Sequence, residues 1–99
     1  MKDYVVLFSP EAENESVKAF LWYEEVQAGF GKAFQESLQF SIEVIRKNPT
    51  YHSFIYKSLR SCRMKRFPFN VIYRISDLNI QVIAVFHHSR NPKEWEKRI

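Results

Sequence analysis

The first apolar positions of the chain predict a strand followed by a helix. The run YVVLF, Tyr4 to Phe8, is short and continuous, which is typical of a buried strand. The next three residues, Ser9 to Glu11, offer a capping hydroxyl, a proline suited to a first helical turn and an acid that favours the positive end of a helix. A helix is therefore predicted from this point to about Gln27.

The glycines and the apolar spacing then predict a helical hairpin. The segment AGFG, Ala28 to Gly31, holds both glycines of the chain and marks the break between two helices. The second helix is predicted from about Gly31 to Lys47, where Asn48 and Pro49 end it. Its apolar stripe consists of Phe34, Leu38, Ile42 and Ile45.

The first helix has an apolar face of Ala12, Ala19, Tyr23 and Val26, with Val17, Phe20 and Leu21 beside it. Trp22, Tyr23 and the helical phenylalanines are predicted to lie in the core.

From Phe54 onward the pattern changes to strands. The runs FIYKSLR, SCRMKRF, FNVIYRIS and IQVIAVFHH are short and rich in β-branched and aromatic residues. A hairpin turn is predicted from Ser76 to Asn79, another turn within SLRSC, and a strand start at Pro68. From Ile80 to Val85 the odd-numbered and the even-numbered residues, which point to opposite faces of a strand, are both mostly apolar. This strand is therefore predicted to be central and covered on both faces.

These elements predict an α+β fold in the order β-α-α-β-β-β. The helical hairpin would pack on one face of a mainly antiparallel sheet, with a short helix or turn after Pro92. The 99 residues suffice for a single domain, 1–99, and no repeat or linker divides it.

Charge is unevenly distributed, and this changes the picture of function. Residues 1–50 hold five Lys/Arg against eight Asp/Glu, a net charge of −3, whereas residues 51–99 hold ten against three, a net charge of +7. A basic half whose charges interleave with strand residues predicts an anionic partner, either nucleic acid or an acidic protein. The alternative is that these residues only solubilise the sheet and protect its edges.

Composition excludes several classes of protein. The single Cys62 excludes an internal disulfide and a cysteine-based zinc cluster, and it favours a reducing, cytoplasmic setting. No apolar run reaches the roughly 18 residues of a transmembrane helix, and the N-terminal run lacks the pattern of a signal peptide. We therefore expect no membrane association, and no cofactor.

The candidate chemistry lies in a group of basic residues of the second half: Arg63, Lys65, Arg74, His87 and Arg90. Arg63 and Lys65 share parity on one predicted strand, and neighbouring strands lie about 5 Å apart, so these cations are expected to meet across the sheet. Such a group suits a phosphate backbone, and with a histidine as acid or base it suits RNA cleavage. An exposed basic face without chemistry is the alternative.

His87 and His88 do not predict a metal site. Adjacent residues of a strand point to opposite faces, so the two rings are not expected to share one ion. Trp95 follows Pro92 among charged residues, and it is predicted to fold back and anchor the chain or to contact a partner.

The second half also carries a family pattern. Arg63 precedes RFPF, VIYRI follows, and VIAVFHHSRNPKEW places His87, Arg90, Pro92 and Trp95 in the spacing H-x-x-R-x-P-x-x-W. Together with the hairpin segment FLWYEEVQAGFGKAFQESLQFSIEVIRKNP, nearly the whole chain resembles toxins of the RelE/ParE superfamily, from type II toxin–antitoxin systems. It is most similar to the ParE-like, plasmid-stabilisation branch.

The resemblance implies a cognate antitoxin that wraps the toxin and is often acidic and disordered when free. It also implies growth inhibition by one of two routes. ParE-like members bind and poison DNA gyrase, and RelE-like members are mRNA interferases that cut mRNA in the ribosomal A site. Arg90 falls where RelE-like enzymes carry a catalytic arginine. Asn70 stands at the position of a second arginine, and the catalytic tyrosine has no counterpart near Trp95 and Glu96.

Three hypotheses follow from the sequence. The first is a ParE-like gyrase inhibitor that binds its target through Arg63, Lys65, Arg74, His87, Arg90 and Trp95. The second is a ribosome-dependent mRNA endonuclease, with Arg63, Lys65 and Arg90 as phosphate-binding cations and His87 as acid or base. The third is a degenerate toxin that only binds its antitoxin.

Overall fold

The computed structural model describes residues 3–99, in which two long helices pack on one face of a five-stranded sheet. The elements are β1 (Val5–Phe8), α1 (Pro10–Val26), α2 (Phe30–Lys47), β2 (Phe54–Tyr56), β3 (Leu59–Arg63), β4 (Phe69–Ser76), β5 (Asn79–His87) and α3 (Lys93–Glu96). The strands lie in the order β1-β5-β4-β3-β2, with β1 parallel to β5 and the other pairs antiparallel. The predicted fold class is confirmed, with one more strand than the predicted order because β2 and β3 are separate.

Local signals set the boundaries of the helices. The Ser9 hydroxyl accepts a hydrogen bond from the Ala12 N–H at 3.1 Å, as expected of an N-cap. Gly29 has a φ of 93°, a conformation that glycine adopts without strain and that turns the chain into α2. The Glu24 carboxylate accepts from the backbone N–H groups of Gly29 and Gly31, at 3.1 and 3.0 Å, and so satisfies free donors at the start of α2.

Aromatic rings fill the space between the helices and the sheet. Tyr23 stacks on Phe34 at 5.5 Å between ring centroids, and Phe67 meets both rings edge-on at 4.9 and 5.4 Å. Tyr73 is fully buried, and its hydroxyl donates to the Pro49 carbonyl at 2.7 Å. Burial raises the pKa of Tyr73 to about 12, so it acts as a neutral donor that ties the end of α2 to β4.

A bulge in β5 builds a second apolar cluster on the face of the sheet away from the helices. Ile72 pairs with Ala84 and Tyr73 with Val82, which leaves Ile83 as an extra residue in β5. This second cluster contains Leu59, Ile72, Ile83, Ala84, Phe86 and Trp95. The prediction that β5 is interior and covered on both faces is confirmed, because all residues from Val82 to Phe86 are buried.

The structure confirms one sequence prediction about local structure and shows that another is wrong. The turn predicted within SLRSC lies at the start of that segment, at Lys57 and Ser58, where Lys57 has a φ of 49°; the other four residues, Leu59 to Cys62, belong to strand β3. Trp22 is not in the core, since it is 60% exposed. Helix α1 packs closely through its buried alanines, Ala12 and Ala19, so only a narrow stripe is covered. Other apolar helical side chains that remain at least half exposed are Val17, Leu21, Val26 and Phe40.

The Glu15 carboxylate closes the part of β5 that β1 does not reach. Strand β1 ends at Phe8, opposite Val82. Beyond that point the Val85 N–H donates to Glu15 Oε1 at 3.1 Å, and the Ile83 carbonyl accepts from Arg98 Nη1 at 3.0 Å. Arg98 also forms a bidentate ion pair with Glu15, through two hydrogen bonds of 2.9 Å. The side chains of Arg98 and Glu15 are 15% and 10% exposed, respectively. This network joins α1, β5 and the segment after α3.

Replacing Glu15 with alanine should lower the free energy of unfolding by about 2–4 kcal/mol, because it leaves the Val85 N–H and the part-buried Arg98 without their acceptor. Glu13→Ala is the matched control, since Glu13 lies exposed on the same helix, and it should cost less than about 0.5 kcal/mol. Urea denaturation measures both. Equal losses in the two variants would contradict the role given to Glu15.

Candidate functional site

A groove of about 550 Å³ lies on the face of the sheet away from α1 and α2, and we call it the sheet groove. The strand register assembles it: Arg63 pairs with Asn70, and Asn70 with Phe86. Its apolar wall is formed by Ile55, Ile72, Phe86, Pro92 and Trp95. Its polar lining is formed by Ser61, Arg63, Asn70, His87, His88, Arg90 and Glu96.

A chain of hydrogen bonds crosses the polar part of the sheet groove. The Asn70 amide donates to Ser61 Oγ at 2.7 Å, and its oxygen lies 2.6 Å from His88 Nε2. An amide oxygen only accepts, so His88 Nε2 carries a hydrogen. Burial, then the charge of Arg63 and then that of His87 lower the pKa of His88, which keeps the ring neutral near neutral pH.

His87 faces a different set of neighbours from His88. Its ring packs edge-on against Phe69, with 5.0 Å between the centroids, on the side of the sheet that faces the helices. Its Nδ1 accepts from the Ser89 N–H at 3.0 Å, which leaves Nε2 as the nitrogen that carries the hydrogen of the neutral ring. The two histidines therefore act separately, and among residues 3–99 no three His, Cys, Asp or Glu side chains converge to hold a metal ion.

Arg90 lies at the rim of the sheet groove with its charge already compensated. Its Nη1 donates to Glu15 Oε2 at 3.1 Å and its Nη2 to the Glu94 carboxylate. Its guanidinium carbon also lies 4.6 Å from the centroid of the Phe86 ring, within the range of a cation–π contact. Two carboxylates and one ring thus hold this guanidinium against the protein.

Arg63 differs from Arg90 in having no such partner. Its side chain is exposed, and within residues 3–99 it takes part in no hydrogen bond or ion pair. It lies at the end of β3, beside Asn70 of β4. Arg63 is therefore the cation of the sheet groove that remains available to a ligand.

The structure does not bring Lys65 and Arg74 into the sheet groove. Strand β3 ends at Arg63, so Lys65 does not lie on that strand as expected. It lies 4.6 Å from the centroid of the Phe40 ring of α2, where both Lys65 and Arg63 border a second cavity outside the sheet groove. Arg74 is four residues from Asn70 along β4, a separation of about 13 Å, and donates to Gln81 at 2.7 Å. Of the five predicted basic residues, Arg63, His87 and Arg90 border the groove, but the His87 ring packs against Phe69 on the opposite side of the sheet.

Trp95 lines the groove, although most of its side chain is buried. It is 7% exposed, and its ring meets Tyr56 edge-on at 6.1 Å between centroids. The short helix after Pro92 is confirmed as α3, and the predicted anchoring role of Trp95 agrees with its place in the second apolar cluster.

Sequence reasoning missed residues that matter to this site. Glu15 and Arg98 lie 83 positions apart, and no local pattern links them. Ser61 and Asn70 were not selected either, although their strands were predicted, because cross-strand partners depend on the register of β3 and β4. The one available signal was the resemblance, which places Asn70 where RelE-like members carry an arginine.

Comparisons with known proteins agree with this fold. A family model described as the ParE toxin of type II toxin–antitoxin systems, parDE, matches residues 6–92. A solved structure from P. aeruginosa, titled "Chromosomal ParDE TA system", superposes with a TM-score of 0.75 at 13% sequence identity, covering 86% of this chain and 96% of that one. No curated protein sequence matches the chain. None of the helices within residues 3–99 is both long and apolar enough to cross a membrane.

Trp95→Ala should lower the free energy of unfolding by about 3–5 kcal/mol, because it removes the large side chain that covers the second apolar cluster. Trp22→Ala is the matched control: this tryptophan is 60% exposed, and its loss should cost less than about 1 kcal/mol. Thermal unfolding followed by circular dichroism compares the two. A larger loss for Trp22→Ala would contradict the assignment.

The histidine titrations provide a second test of the groove. By NMR the pKa of His88 should lie below the ordinary value of about 6.5, and Arg63→Gln should raise it by removing a nearby positive charge. Because the folded state holds His88 neutral, its contribution to stability is present above the ordinary pKa and is lost as the pH falls towards the lowered one. An unchanged His88 pKa in Arg63→Gln would show that Arg63 does not face this ring.

Proposed function

The chain belongs to the ParE family of toxins from type II toxin–antitoxin systems, and on that premise we propose that it arrests growth by binding DNA gyrase. A cognate antitoxin would neutralise it. The arrangement of charges in the sheet groove is the observation that supports the proposed target.

The charges of the sheet groove suit recognition of a protein better than cleavage of RNA. Stabilising a phosphorane requires cations that are free to meet the charge as it develops. Arg90 is held by Glu15 and Glu94, and Lys65 lies outside the groove. Only Arg63 remains unpaired there within the described residues. One free cation beside an apolar wall matches a protein-binding surface.

An antitoxin partner is supported by the exposed apolar side chains of α1. Val17 and Leu21 lie one helical turn apart on α1, and Trp22 and Val26 form a second such pair; all four are at least half exposed, with the charged Lys18 and Glu25 between the two pairs. A surface of this kind suits an amphipathic helix of a partner protein. The similar P. aeruginosa structure is titled as a ParDE toxin–antitoxin system, which is the basis for naming an antitoxin as that partner.

An mRNA endonuclease is the second candidate function. One observation favours it: Arg63, His87 and Arg90, three of the four residues proposed for that chemistry, border the same groove. In that reaction His87 Nε2 would donate or accept the proton, since Nδ1 is occupied by Ser89. The two functions predict different products and are separable by assay.

The purified protein should inhibit gyrase supercoiling of plasmid DNA and leave mRNA intact in a translation extract read by primer extension. Arg63→Ala should weaken gyrase inhibition about tenfold, which corresponds to about 1.4 kcal/mol of binding energy. Arg74→Ala, a change of the same residue type on the same sheet face but outside the groove, should behave like the unmodified protein.

Two outcomes would contradict the proposal. Codon-specific mRNA cuts without an effect on gyrase would establish the endonuclease instead. Normal growth on induced expression without an antitoxin would establish a degenerate toxin that only binds its antitoxin.

A further inference from the structure

The sheet groove has a feature that gyrase binding does not by itself explain. It combines one exposed guanidinium, from Arg63, with an apolar wall that contains Ile55 and Ile72. Ile55 is 45% exposed, so part of that wall remains accessible. A ligand that matches both parts must carry an anionic group next to an apolar one.

We propose that the sheet groove binds a carboxylate side chain of the target protein through Arg63 and seats a neighbouring apolar side chain against the exposed surface of Ile55. The inference deepens the proposed function and rests on it, since it specifies the chemistry of the segment that the toxin recognises. Arginine suits this role because its planar guanidinium binds a carboxylate through two parallel hydrogen bonds.

The balance of charge in the groove favours a single carboxylate over a phosphate backbone. Two arginines line the groove, and the charge of one of them, Arg90, is compensated by Glu15 and Glu94. The His88 ring beside them is neutral. Glu96 also lines the groove and adds a negative charge. A nucleic acid strand carries one negative charge per nucleotide and gains affinity from several unpaired cations, so this groove offers it little. One carboxylate requires one cation, which Arg63 supplies.

The hydrogen-bond chain behind Arg63 holds that end of the groove in a defined shape. Asn70 is fixed by Ser61 on one side and by His88 on the other. The neutral His88 ring and the Asn70 amide line the groove beside Arg63 without adding net charge. The Arg63 guanidinium therefore lies beside two neutral, hydrogen-bonded groups, Asn70 and His88, which favours selection of one acidic side chain over a diffuse attraction to acidic surfaces.

The experiment is an NMR titration of the whole protein, labelled with ¹⁵N, with three probes. The probes are a capped pentapeptide with one aspartate between leucine and phenylalanine, its asparagine counterpart, and a single-stranded pentauridylate RNA. The aspartate peptide should shift the amide signals of Ser61, Asn70 and His88. The asparagine peptide should bind at least about tenfold more weakly, because it cannot form a charged pair with Arg63.

Arg63→Gln should abolish the preference for aspartate over asparagine, and Arg74→Gln should preserve it. Arg74 is the matched control because it lies on the same face but pairs with Gln81, outside the groove. Both variants are checked for folding by their spectra, and Arg63 is exposed, so its replacement should leave the fold intact.

The proposal is overturned if the two peptides bind equally, if no probe shifts the groove signals, or if the RNA binds more tightly than the aspartate peptide through the same amides. A failed gyrase assay alongside an aspartate preference that depends on Arg63 would reject gyrase as the target but retain the specificity of the groove. Gyrase inhibition without that preference would reject the inference alone.

Discussion

The carboxylate of Glu15 is the point on which the arrangement of this protein depends. Strand β5 continues past the end of β1, which leaves backbone N–H and C=O groups of β5 without a neighbouring strand. These groups need other hydrogen-bond partners because they lie within the packed molecule. Glu15 and Arg98 supply those partners, and each also satisfies the other. An ion pair of this kind stabilises only when its remaining hydrogen-bonding capacity is filled, and here four donors reach one carboxylate.

The same carboxylate determines the chemistry of the sheet groove. By accepting a hydrogen bond from Arg90, Glu15 withdraws one cation from the ligand side and gives it a structural role. The groove then contains a single available guanidinium in place of the cationic cluster that the sequence suggests. Structural stability and recognition are linked in this way, because the network that closes the sheet also sets the charge that a partner meets.

Much of the fold follows from local signals that act over a few residues. Ser9 and Pro10 begin α1, Gly29 separates α1 from α2, and the turn before Asn79 joins β4 to β5. Each is a statement about backbone geometry or hydrogen bonding that the neighbouring residues decide on their own. The order of elements was predictable for this reason, and so was the burial of β5, whose apolar residues occur at both parities.

The features that the sequence did not predict depend on residues that are distant along the chain. Trp22 and Trp95 are the same residue type, yet one is exposed and the other buried, because Trp95 packs on the second apolar cluster and Trp22 lies on a part of α1 that the sheet does not cover. The exit of the chain from β3 after Arg63 places Lys65 beside Phe40 of α2, outside the sheet groove. Arg63 and Arg90 do line one groove, but pairing with Glu15, on a different helix, distinguishes their roles.

The parallel pairing of β1 with β5 has a consequence for how the protein is made. Strand β1 and helix α1 are synthesised before both of their distant partners, because the strand that pairs with β1 begins at Asn79 and the arginine that pairs with Glu15 is Arg98. Contacts this distant in sequence form late, since the intervening chain must first be available to close the loop. A nascent chain that ends before β5 has neither the sheet groove nor the ion pair that closes the sheet. Premature termination before β5 therefore yields a fragment without the proposed binding site.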